Sequence, residues 1–328
     1  MKFSIIIPVY NRPDEITELL ESLEKQSYQN FEVLIIEDGS TQKSDHIIES
    51  FSKKLDVKYF FKENTGRSFT RNYGMERATG DYFILFDSDC IIPPQYFETL
   101  HNRLQENYTD CFGGPDNAHE SFTTIQKAIN YSMTSFFTTG GIRGGKEKMD
   151  KFHPRSFNMG FSKAVYEKVG GFANMFGEDI DLSIRIMEAG FTTRLIRDAY
   201  VFHKRRVSFK KFFKQVYTFG LARITLYKKY PKSLKLVHAL PSLFLLGAAL
   251  LVILSVFCWL FITPLLLYIF IIFTDSLMKN KSLTIAFISI YTSFIQISGY
   301  GSGFLTAFFK NVISGKSETD EFISKFYK

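Results

Sequence analysis

An unbroken run of five β-favouring residues, Tyr82–Phe86, leads directly into two carboxylates, Asp87 and Asp89. Because the run lacks polar alternation, it predicts a strand that is buried on both faces of a parallel sheet. Open α/β sheets bind ligands in the crevice outside the carboxyl ends of their strands. We therefore expect both carboxylates at this edge, where paired oxygen donors suit Mg²⁺ or Mn²⁺. The alternative is that the two aspartates only cap the following turn and helix.

Apolar runs that alternate with helical patterns predict three earlier strands. The strands are expected at residues 3–9, 31–36 and 57–61, and the helices after residue 13 and at residues 43–53 and 68–78. This alternation predicts a doubly wound α/β fold with a mostly parallel sheet. Polar clusters follow these strands at residues 10–12, 38–40 and 64–67. We expect them to converge with Asp87 and Asp89 on one nucleotide-sized crevice.

The composition is that of an ordinary folded chain. Its 328 residues allow two domains, and a hydrophobic content of 45% can fill a sizeable core. The three cysteines, Cys90, Cys111 and Cys258, show no Cys-x-x-Cys spacing and are too few for a disulfide framework. This use of cysteine predicts a reducing, cytoplasmic environment. The chain passes from Met1 directly into the first predicted strand, so we expect no signal peptide.

The positive charge of the chain is concentrated in one segment. Eleven Lys or Arg residues and no acidic residue lie between Lys204 and Lys235, so the rest of the chain carries 7 − 11 = −4 charges. The basic segment directly precedes the most hydrophobic part of the sequence. This arrangement favours a membrane surface as the partner and disfavours nucleic acid.

Two nucleotide-binding motifs are excluded. Residues 140–146 (Gly-Gly-Ile-Arg-Gly-Gly-Lys) have the spacing of a phosphate-binding P-loop, but Glu147 replaces the Ser or Thr that holds magnesium and no apolar helix follows. We expect a mobile, glycine-hinged loop there instead. A Gly-x-Gly-x-x-Gly turn does not follow the first predicted strand, so the sequence gives no support for a dinucleotide-binding fold.

Several ordered motifs in about the first 200 residues resemble glycosyltransferase family 2, whose members have the GT-A fold. The motifs occupy residues 5–12 (Ile-Ile-Ile-Pro-Val-Tyr-Asn-Arg), 35–40 (Ile-Ile-Glu-Asp-Gly-Ser), 71–74, 78–89, 113–115, 158–161, 169–172 and 177–182 (Gly-Glu-Asp-Ile-Asp-Leu). The resemblance implies a Rossmann-like α/β catalytic domain over residues 1–206. It also implies a nucleotide-sugar donor, and a UDP-sugar is favoured.

The resemblance assigns donor-binding roles to residues after the first strands. It implies that the base pocket is formed by the backbone of Pro8, Tyr10 and Asn11 and by the carboxylate of Asp38. Asp38 also suits an Asx-turn before the following glycine, and it can fill both roles. Arg71 resembles a basic residue that reaches the base or the diphosphate. The alternative for Arg71 is a solvated cation on a helix.

The resemblance also implies a divalent metal ion, Mn²⁺ or Mg²⁺. Asp87 is placed for the ribose and the metal shell, and Asp89 is placed for direct coordination of the ion that binds the diphosphate. His203 follows a short apolar run, and its position resembles that of a late histidine that some GT-A enzymes supply to the metal. A packing or hydrogen-bonding role for His203 is the alternative.

The segment with Glu178 and Asp179 resembles the site of the family's catalytic base. Inverting sugar transfer needs a carboxylate that accepts the proton of the acceptor hydroxyl. The resemblance therefore implies Asp179 as the base and Glu178 as a group that orients the site or the acceptor. The alternative is that Glu178, Asp179 and Asp181 only favour the amino-terminal dipole of a helix over residues 180–189.

The sequence pattern beyond residue 206 differs from that of a purely soluble enzyme. Residues 207–236 combine an apolar stripe with lysines off that stripe, which predicts an interfacial helix on an anionic membrane. An ordinary amphipathic helix packed on the catalytic domain is the alternative. This segment has Gln215 and Arg223 but lacks the Gln-x-x-Arg-Trp motif of cellulose-synthase-like members, which disfavours processive polymer synthesis.

Residues 237–310 contain long uncharged segments that predict a transmembrane region. Residues 241–263 and 283–309 are long enough to span a bilayer, and residues 264–274 are a third, shorter apolar piece, so two or three helices are expected. Lys279 and Lys281 favour a cytoplasmic loop. We expect residues 311–328 to form a tail and the protein to be a multi-pass protein of the inner membrane with its catalytic domain in the cytoplasm.

Together these features predict a membrane-anchored, metal-dependent, inverting glycosyltransferase. The basic segment and the apolar spans predict a lipid-linked saccharide as acceptor, in the synthesis of a surface polysaccharide. Two other classes stay open. A sugar nucleotidyltransferase would have a glycine-rich phosphate turn after the first strand, where this chain has residues 8–12 (Pro-Val-Tyr-Asn-Arg). A non-catalytic membrane scaffold would not need the combination of Asp38, Asp87, Asp89 and Asp179.

Overall fold

The computed structural model describes residues 1–139 and 152–315. The expected glycine-hinged loop at residues 140–146 lies outside the described residues, as do residues 316–328 of the expected tail. The described strands are β1 (Phe3–Val9), β2 (Phe31–Asp38), β3 (Val57–Lys62), β4 (Tyr82–Phe86), β5 (Cys90–Ile91), β6 (Cys111–Gly113), β7 (Asp116–Asn117), β8 (Asn158–Ser162), β9 (Thr193–Leu195) and β10 (Val201–His203).

Helices precede, separate and follow these strands. The described α-helices are α1 (Pro13–Glu24), α2 (Asp45–Phe51), α3 (Arg67–Met75), α4 (Tyr96–Glu106), α5 (Thr124–Thr134), α6 (Phe136–Thr139), α7 (Lys163–Val169), α8 (Glu178–Glu188), α9 (Phe209–Lys229), α10 (Leu240–Ser255), α11 (Thr263–Asn280) and α12 (Leu283–Ala307). The first nine lie in or beside the α/β domain, and the last three follow the basic segment.

The central sheet has seven strands in the order β3-β2-β1-β4-β8-β6-β9. Strands β1 to β4 are parallel to one another, whereas β8 is antiparallel to both β4 and β6. These pairings confirm the predicted mostly parallel α/β sheet. Because β8 is reversed, its first residue, Asn158, lies opposite Phe86 at the carboxyl end of β4.

Helices cover both faces of the sheet because successive residues of a strand point to opposite sides. On one face, Ile5 and Ile7 of β1 belong to a core that includes α1, α2 and α4. On the other face, Ile6 belongs to a core that includes α3, α7 and α8. Burial on both faces explains why β1, β2 and β4 have no polar alternation in the sequence.

A small three-stranded sheet, in the order β5-β10-β7, lies next to the carboxyl end of β4. In this sheet His203 of β10 is opposite Cys90 of β5, in an antiparallel pair. Cys90 directly follows Asp89 in the chain. The pairing therefore carries a histidine from more than a hundred residues downstream to the edge where the two predicted metal-binding aspartates lie.

Helix α9 carries the apolar stripe that the sequence assigned to a membrane surface, but the centre of the stripe packs against protein. Phe212 and Val216 are fully buried in a cluster with Ile129 and Met133 of α5 and Ile295 of α12. The contact with α5 fits the alternative of an amphipathic helix packed on the α/β domain, whereas α12 is one of the apolar helices that follow the basic segment. The lysines at positions 210, 211 and 214 are exposed, as expected.

The uncharged segment 241–263, expected to be one membrane span, is divided into two pieces. Helix α10 ends at Ser255, and a 3₁₀ turn over Trp259–Ile262 leads into α11. Pro264 lies in the first turn of α11, where its missing N–H is not needed, so it favours a helix start at this point. With its 16 residues, α10 is about 24 Å long, shorter than the roughly 30 Å hydrocarbon core of a bilayer.

By length and composition, two described helices could cross a membrane: Trp259–Asn280, with 22 residues, and Leu283–Ile313, with 31 residues. The first leaves most of its apolar surface uncovered, whereas half of the second is buried inside the protein.

Helix α12 is partly buried because it lies along α9 at close range. Phe209 contacts Tyr291, and Gly220 approaches the backbone of Tyr300, so the two helices run in the same direction. A Cβ atom at Gly303 would lie only 2.1 Å from a carbonyl oxygen of α9. Glycines at such a contact let two helix backbones approach closely. The α/β domain and the apolar helices are thus joined through a tightly packed helix pair.

Candidate active site

The loops after β1 and β2 are tied together by Asn11. This residue has a left-handed backbone with φ of 52°, a conformation that asparagine tolerates better than most residues. Its side-chain oxygen accepts hydrogen bonds from the backbone N–H groups of Thr41 (2.8 Å) and Gln42 (3.0 Å). Tyr10 is exposed and Pro8 is half-buried beside this junction. The predicted base pocket therefore has a fixed backbone and an uncovered aromatic ring at its edge.

Asp38 closes the next loop of the crevice. One carboxylate oxygen accepts from Lys62 Nζ (2.5 Å) and the backbone N–H of Thr65 (3.0 Å), and the other accepts from the N–H of Gly66 (3.0 Å). Both oxygens are thus occupied by donors from the end of β3 and the loop that follows it, and these are not the bonds of the Asx-turn alternative, whose donor would be the N–H two residues after Asp38. The predicted contact of Asp38 with a nucleotide base stays a prediction.

Sequence reasoning missed the neighbouring Glu37, which is fully buried. Its carboxylate accepts from the hydroxyl of Ser40 and from the backbone N–H of Ser44 (2.9 Å). The signal that could have found it is an acidic residue at the end of an otherwise apolar strand, because a carboxylate in that place needs donors from the following loop.

Asp87, Asp89 and His203 come together at the carboxyl end of β4. His203 Nε2 lies 3.1 Å from Asp89 Oδ1 and 3.8 Å from Asp87 Oδ2. Asp89 Oδ1 is buried and receives no hydrogen bond from the described residues. The sulfur of Cys90 is also close, but burial raises the pKa of this thiol, which keeps it protonated and a poor ligand.

This donor set fits a divalent metal ion. Carboxylates suit Mg²⁺ and Mn²⁺, and imidazole is a further common ligand for the transition metals. Burial disfavours the charged form of Asp89, but His203 and Arg12 nevertheless hold its pKa below the ordinary range. Arg12 donates to the second oxygen of Asp89 at 2.8 Å. The carboxylate therefore stays ionised, as a metal ligand must be.

A cavity of about 410 Å³ adjoins this centre on the side of Arg12. Four further cations line it, namely Lys204, Arg205, Arg206 and Lys211. Its size is in the usual range for small-molecule sites. Three carboxylates, of Glu15, Glu18 and Asp89, also line it, so the cavity keeps a surplus of positive charge. Arg and Lys donors suit phosphate oxygens.

Arg71 joins the metal-binding residues to helix α8. Its guanidinium donates to Asp87 Oδ1 at 2.6 Å and to Glu178 Oε1 at 3.3 Å. Only 1% of Arg71 is exposed, so the alternative of a solvated helical cation is wrong. Arg67, which sequence reasoning did not single out, makes two contacts with Glu178, at 2.8 and 2.9 Å. The sequence signal that could have identified Arg67 is its place at the start of a helix, directly after Gly66.

The three acidic residues at the start of α8 have different surroundings. Gly177 precedes them with φ of 79°, a conformation that favours glycine. Glu178 is buried against the two arginines, and Asp181 is buried against Lys229, Tyr230 and Arg185.

Asp179 keeps 15% of its side chain exposed, and one of its oxygens lies 3.5 Å from Arg155. Burial opposes ionisation of this carboxyl, but Arg155 and Arg67 hold its pKa below the ordinary range, so it is a carboxylate at neutral pH. Of the three acidic residues, Asp179 is therefore the one whose side chain stays partly exposed.

Comparison with known proteins places this geometry in a family. Residues 4–170 match the profile described as Glycosyl transferase family 2. An uncharacterised glycosyltransferase of Rickettsia felis is 39% identical over 143 residues, 43% of this chain and 23% of that protein. Glycosyltransferase GlyA of Streptococcus pneumoniae is 37% identical over 115 residues, 34% of this chain and 16% of that protein. The chain spans less than half the length of the curated relatives it matches.

Solved structures share the fold. The mannosyltransferase PcManGT of Pyrobaculum calidifontis, in complex with GDP-Man and Mn²⁺, has a TM-score of 0.64 at 15% identity, covering 92% of this chain and 86% of that chain. Residues 1–349 of TarS from S. aureus give a TM-score of 0.50 at 18% identity, covering 97% of this chain and 93% of that chain. At these identities the likeness shows the GT-A fold alone.

Proposed function

The chain belongs to glycosyltransferase family 2, and we propose that it transfers a sugar from a nucleotide-sugar donor to an acceptor hydroxyl with inversion at the anomeric carbon. The observation that carries the proposal is the connection between two groups of acidic residues. Arg71 contacts Asp87 of the metal-binding group and Glu178, the neighbour of Asp179. A single displacement needs a group that binds the leaving diphosphate and a base for the attacking hydroxyl, and these two acidic groups would supply them.

Asp87, Asp89 and His203 would hold Mn²⁺ or Mg²⁺. When bound, such an ion neutralises negative charge on the diphosphate as it leaves. Arg12 keeps Asp89 ionised and lines the adjoining basic cavity, which suits the rest of the diphosphate. The similar mannosyltransferase PcManGT was solved with Mn²⁺ and GDP-Man, which supports a divalent ion and a nucleotide-sugar donor here.

Asp179 would act as the general base. Its carboxylate accepts the proton of the acceptor hydroxyl as that oxygen bonds to the anomeric carbon. The bond between this carbon and the diphosphate oxygen breaks, and the leaving group takes the electron pair. Glu178 lies between Arg67 and Arg71 and would position the start of α8, since both of its oxygens are already engaged.

The donor pocket would use the loops after β1 and β2. The backbone of residues 8–11, the ring of Tyr10 and the loop closed by Asp38 are suited to a nucleoside. A UDP-sugar is the first donor to test, and a GDP-sugar is the second because of the ligand of PcManGT.

The apolar helices would hold the enzyme at a membrane. Val256, Phe257 and Trp259, in the turn between α10 and α11, are 84%, 83% and 68% exposed. A large uncovered apolar surface of this kind marks an interaction site, and the uncharged helices on both sides suit lipid. With the basic residues 204–235 favouring the cytoplasmic face, we propose a cytoplasmic-membrane enzyme whose acceptor is a lipid-linked saccharide of a surface-polysaccharide pathway.

The experiment is a donor panel with the full chain in lipid nanodiscs. Release of nucleoside diphosphate is measured from UDP- and GDP-sugars with Mn²⁺, with Mg²⁺ and with a chelator. We expect release that depends on the ion and falls strongly in Asp179→Asn but not in the surface control Asp198→Asn. Pyrophosphate release from a sugar phosphate and a nucleoside triphosphate would instead indicate a nucleotidyltransferase. Failure to bind any donor would indicate a scaffold.

A further inference from the structure

A second group of basic and imidazole side chains adjoins Asp179, and the chemistry above uses it only through the effect of Arg155 on Asp179. Its members are Arg155, His153, Arg223 and His238. They come from three places in the chain: the segment before β8, helix α9, and the short turn Leu236–His238 that precedes α10. Arg155 lies 3.5 Å from Asp179, and Arg223 is beside both Asp179 and the hydroxyl of Tyr300 in α12. The group therefore lies where the apolar helices meet the start of α8.

Hydrogen bonds determine which nitrogen of each imidazole carries the proton. The hydroxyl of Ser183 donates to the carbonyl of Ile180, so it accepts from His153 Nδ1 at 2.8 Å. His153 is thus held by α8 through its only N–H group when neutral. His238 Nδ1 accepts from the backbone N–H of Lys235 at 3.0 Å, so His238 Nε2 carries its proton and can donate.

The charges of the group are poorly balanced. Burial, with the charges of Arg155 and Arg223, lowers the pKa of His153 to about 4, and burial with Arg223 and Lys235 lowers the pKa of His238 to about 3. Both imidazoles are therefore neutral at pH 7. Arg223 Nε is buried and has no hydrogen-bond partner among the described residues. Two guanidinium groups face Asp179, which is also within the influence of Arg67 and Arg71.

Arg223 is hydrogen-bonded to Tyr300 and lies beside Asp179, but its buried Nε–H group has no acceptor among the described residues. A buried donor without an acceptor is costly, and an anion that reached this position would remove the cost. The location of the group in the fold limits which kind of anion could bind there. Tyr300 belongs to α12, and the carbonyl of the next residue, Gly301, accepts from Ser242 at the start of α10 at 3.1 Å. The group thus lies between Asp179 and the apolar helices. An anion carried on a lipid, close to a hydroxyl that must reach Asp179, meets both conditions.

We propose that Arg155, Arg223 and His238 form a binding site for the phosphate group that links the acceptor saccharide to its lipid. The proposal rests on the proposed function, since it names the part of the acceptor that the enzyme holds. The two guanidinium groups would supply charge-assisted hydrogen bonds to the phosphate oxygens. His238 Nε2 would supply a neutral one. His153 positions α8 and is not a ligand, because its remaining nitrogen is an acceptor.

The test measures binding of a polyprenyl phosphate to the full chain by native mass spectrometry from detergent micelles. Arg155→Gln and Arg223→Gln each remove one charged donor, and we expect each to weaken retention of the probe about tenfold or more. The matched control is Arg103→Gln, because Arg103 is a half-exposed arginine on α4 that pairs with Asp198. Retention in this control should equal that of the unmodified protein.

Two further arms separate the sources of phosphate. Inorganic phosphate and phosphatidylglycerol are offered in competition with the polyprenyl phosphate, and neither should displace it at equal concentration. Displacement by phosphatidylglycerol would overturn the proposal, because the group would then be a general headgroup site. Equal retention by Arg155→Gln and Arg103→Gln would also overturn it.

Two measurements keep the result independent of folding and of the proposed function. Melting temperatures identify a variant that fails to fold, and Tyr300→Phe, which removes only a hydroxyl at the edge of the group, then replaces Arg223→Gln. Donor turnover is measured separately. Retention of the lipid phosphate without turnover of any nucleotide sugar would leave this site standing and reject the proposed function. Turnover of a nucleotide sugar, with the lipid phosphate retained equally by every variant, would support the proposed function and reject this site.

Discussion

Asp181→Asn tests whether helix α8 is anchored to helix α9 by one buried carboxylate. Asp181 is fully buried. One of its oxygens accepts from Lys229 Nζ (2.5 Å) and the hydroxyl of Tyr230 (2.8 Å), and the other accepts from Arg185 Nε (2.9 Å). In Asp181→Asn the amide keeps one acceptor oxygen but turns an N–H₂ group toward one set of these donors. At least one charge-assisted hydrogen bond is lost, and two cations keep no charged partner.

The expected cost follows from the exposure of the partners. Breaking a fully buried ion pair costs about 3–5 kcal/mol, and losing a hydrogen bond to a charged group costs about 1.5–3 kcal/mol. Lys229 and Arg185 are partly exposed, so water compensates part of the loss. We therefore expect the free energy of unfolding to fall by about 2–3 kcal/mol and the melting temperature to fall by roughly 5 °C or more.

The assay is thermal unfolding of the full chain in detergent, with Asp198→Asn as the control. Asp198 pairs with Arg103 at the surface, where both side chains are half-exposed, and such pairs contribute about 1 kcal/mol at most. A double-mutant cycle with Lys229→Met isolates the pairwise contribution. Equal melting temperatures for Asp181→Asn and Asp198→Asn would refute the reasoning.

The pH dependence gives a second check on the same residue. Burial opposes ionisation of Asp181, but Lys229, Tyr230 and Arg185 hold its pKa below the ordinary value. A carboxyl with a lowered pKa in the folded state contributes stability above its unfolded pKa of about 3.9, and that contribution is lost as the pH falls through the folded pKa. The difference between the unmodified protein and Asp181→Asn should therefore be full at pH 7 and shrink below about pH 4.

Four further outcomes are expected. Asp89→Asn should raise the Mn²⁺ concentration needed for half-saturation at least roughly tenfold in calorimetric titration; an unchanged titration would exclude Asp89 as a ligand. Asp179→Asn should lower turnover by about two to four orders of magnitude while the donor still binds; turnover within a few-fold of normal would assign proton removal to another group. Gly303→Ala should lower the melting temperature, because its Cβ would lie 2.1 Å from backbone oxygen, whereas Gly247→Ala, with nothing within 4 Å, should not. Trp259, the single tryptophan of the sequence, should be quenched by brominated lipids, and emission unaffected by them would argue against membrane insertion.

The sequence predicted the part of the fold that depends on local pattern. The apolar runs of β1 to β4 and the polar residues after them follow from burial on both faces of a sheet, so the crevice edge was predictable. His203 was matched through the resemblance, and only the pairing of β10 with β5 explains why it reaches Asp89. A contact between residues so distant in sequence leaves no periodic signal.

The surroundings of charged side chains were not predictable. An arginine on a helix is solvated in most proteins, yet Arg71 is buried between Asp87 and Glu178. In the same way, the sequence does not distinguish Asp181 from Asp179, since both are acidic residues at the start of a helix. The difference between them is the contact of Asp181 with the end of α9. The apolar stripe of α9 led to the prediction of a lipid contact. An amphipathic pattern predicts that one face is apolar, but it does not predict which partner covers that face.

Helix α9 connects the metal-binding residues and helix α8 to the apolar helices. It begins six residues after His203, with Phe209, and its last turn holds Asp181 through Lys229. Between these ends it is packed along α12, where glycines let the two helix backbones approach closely. A change in the position of α12 would therefore be transmitted to α9 as a whole. Helix α9 thus connects the apolar helices to the start of α8, where Glu178 is joined to Asp87 through Arg71.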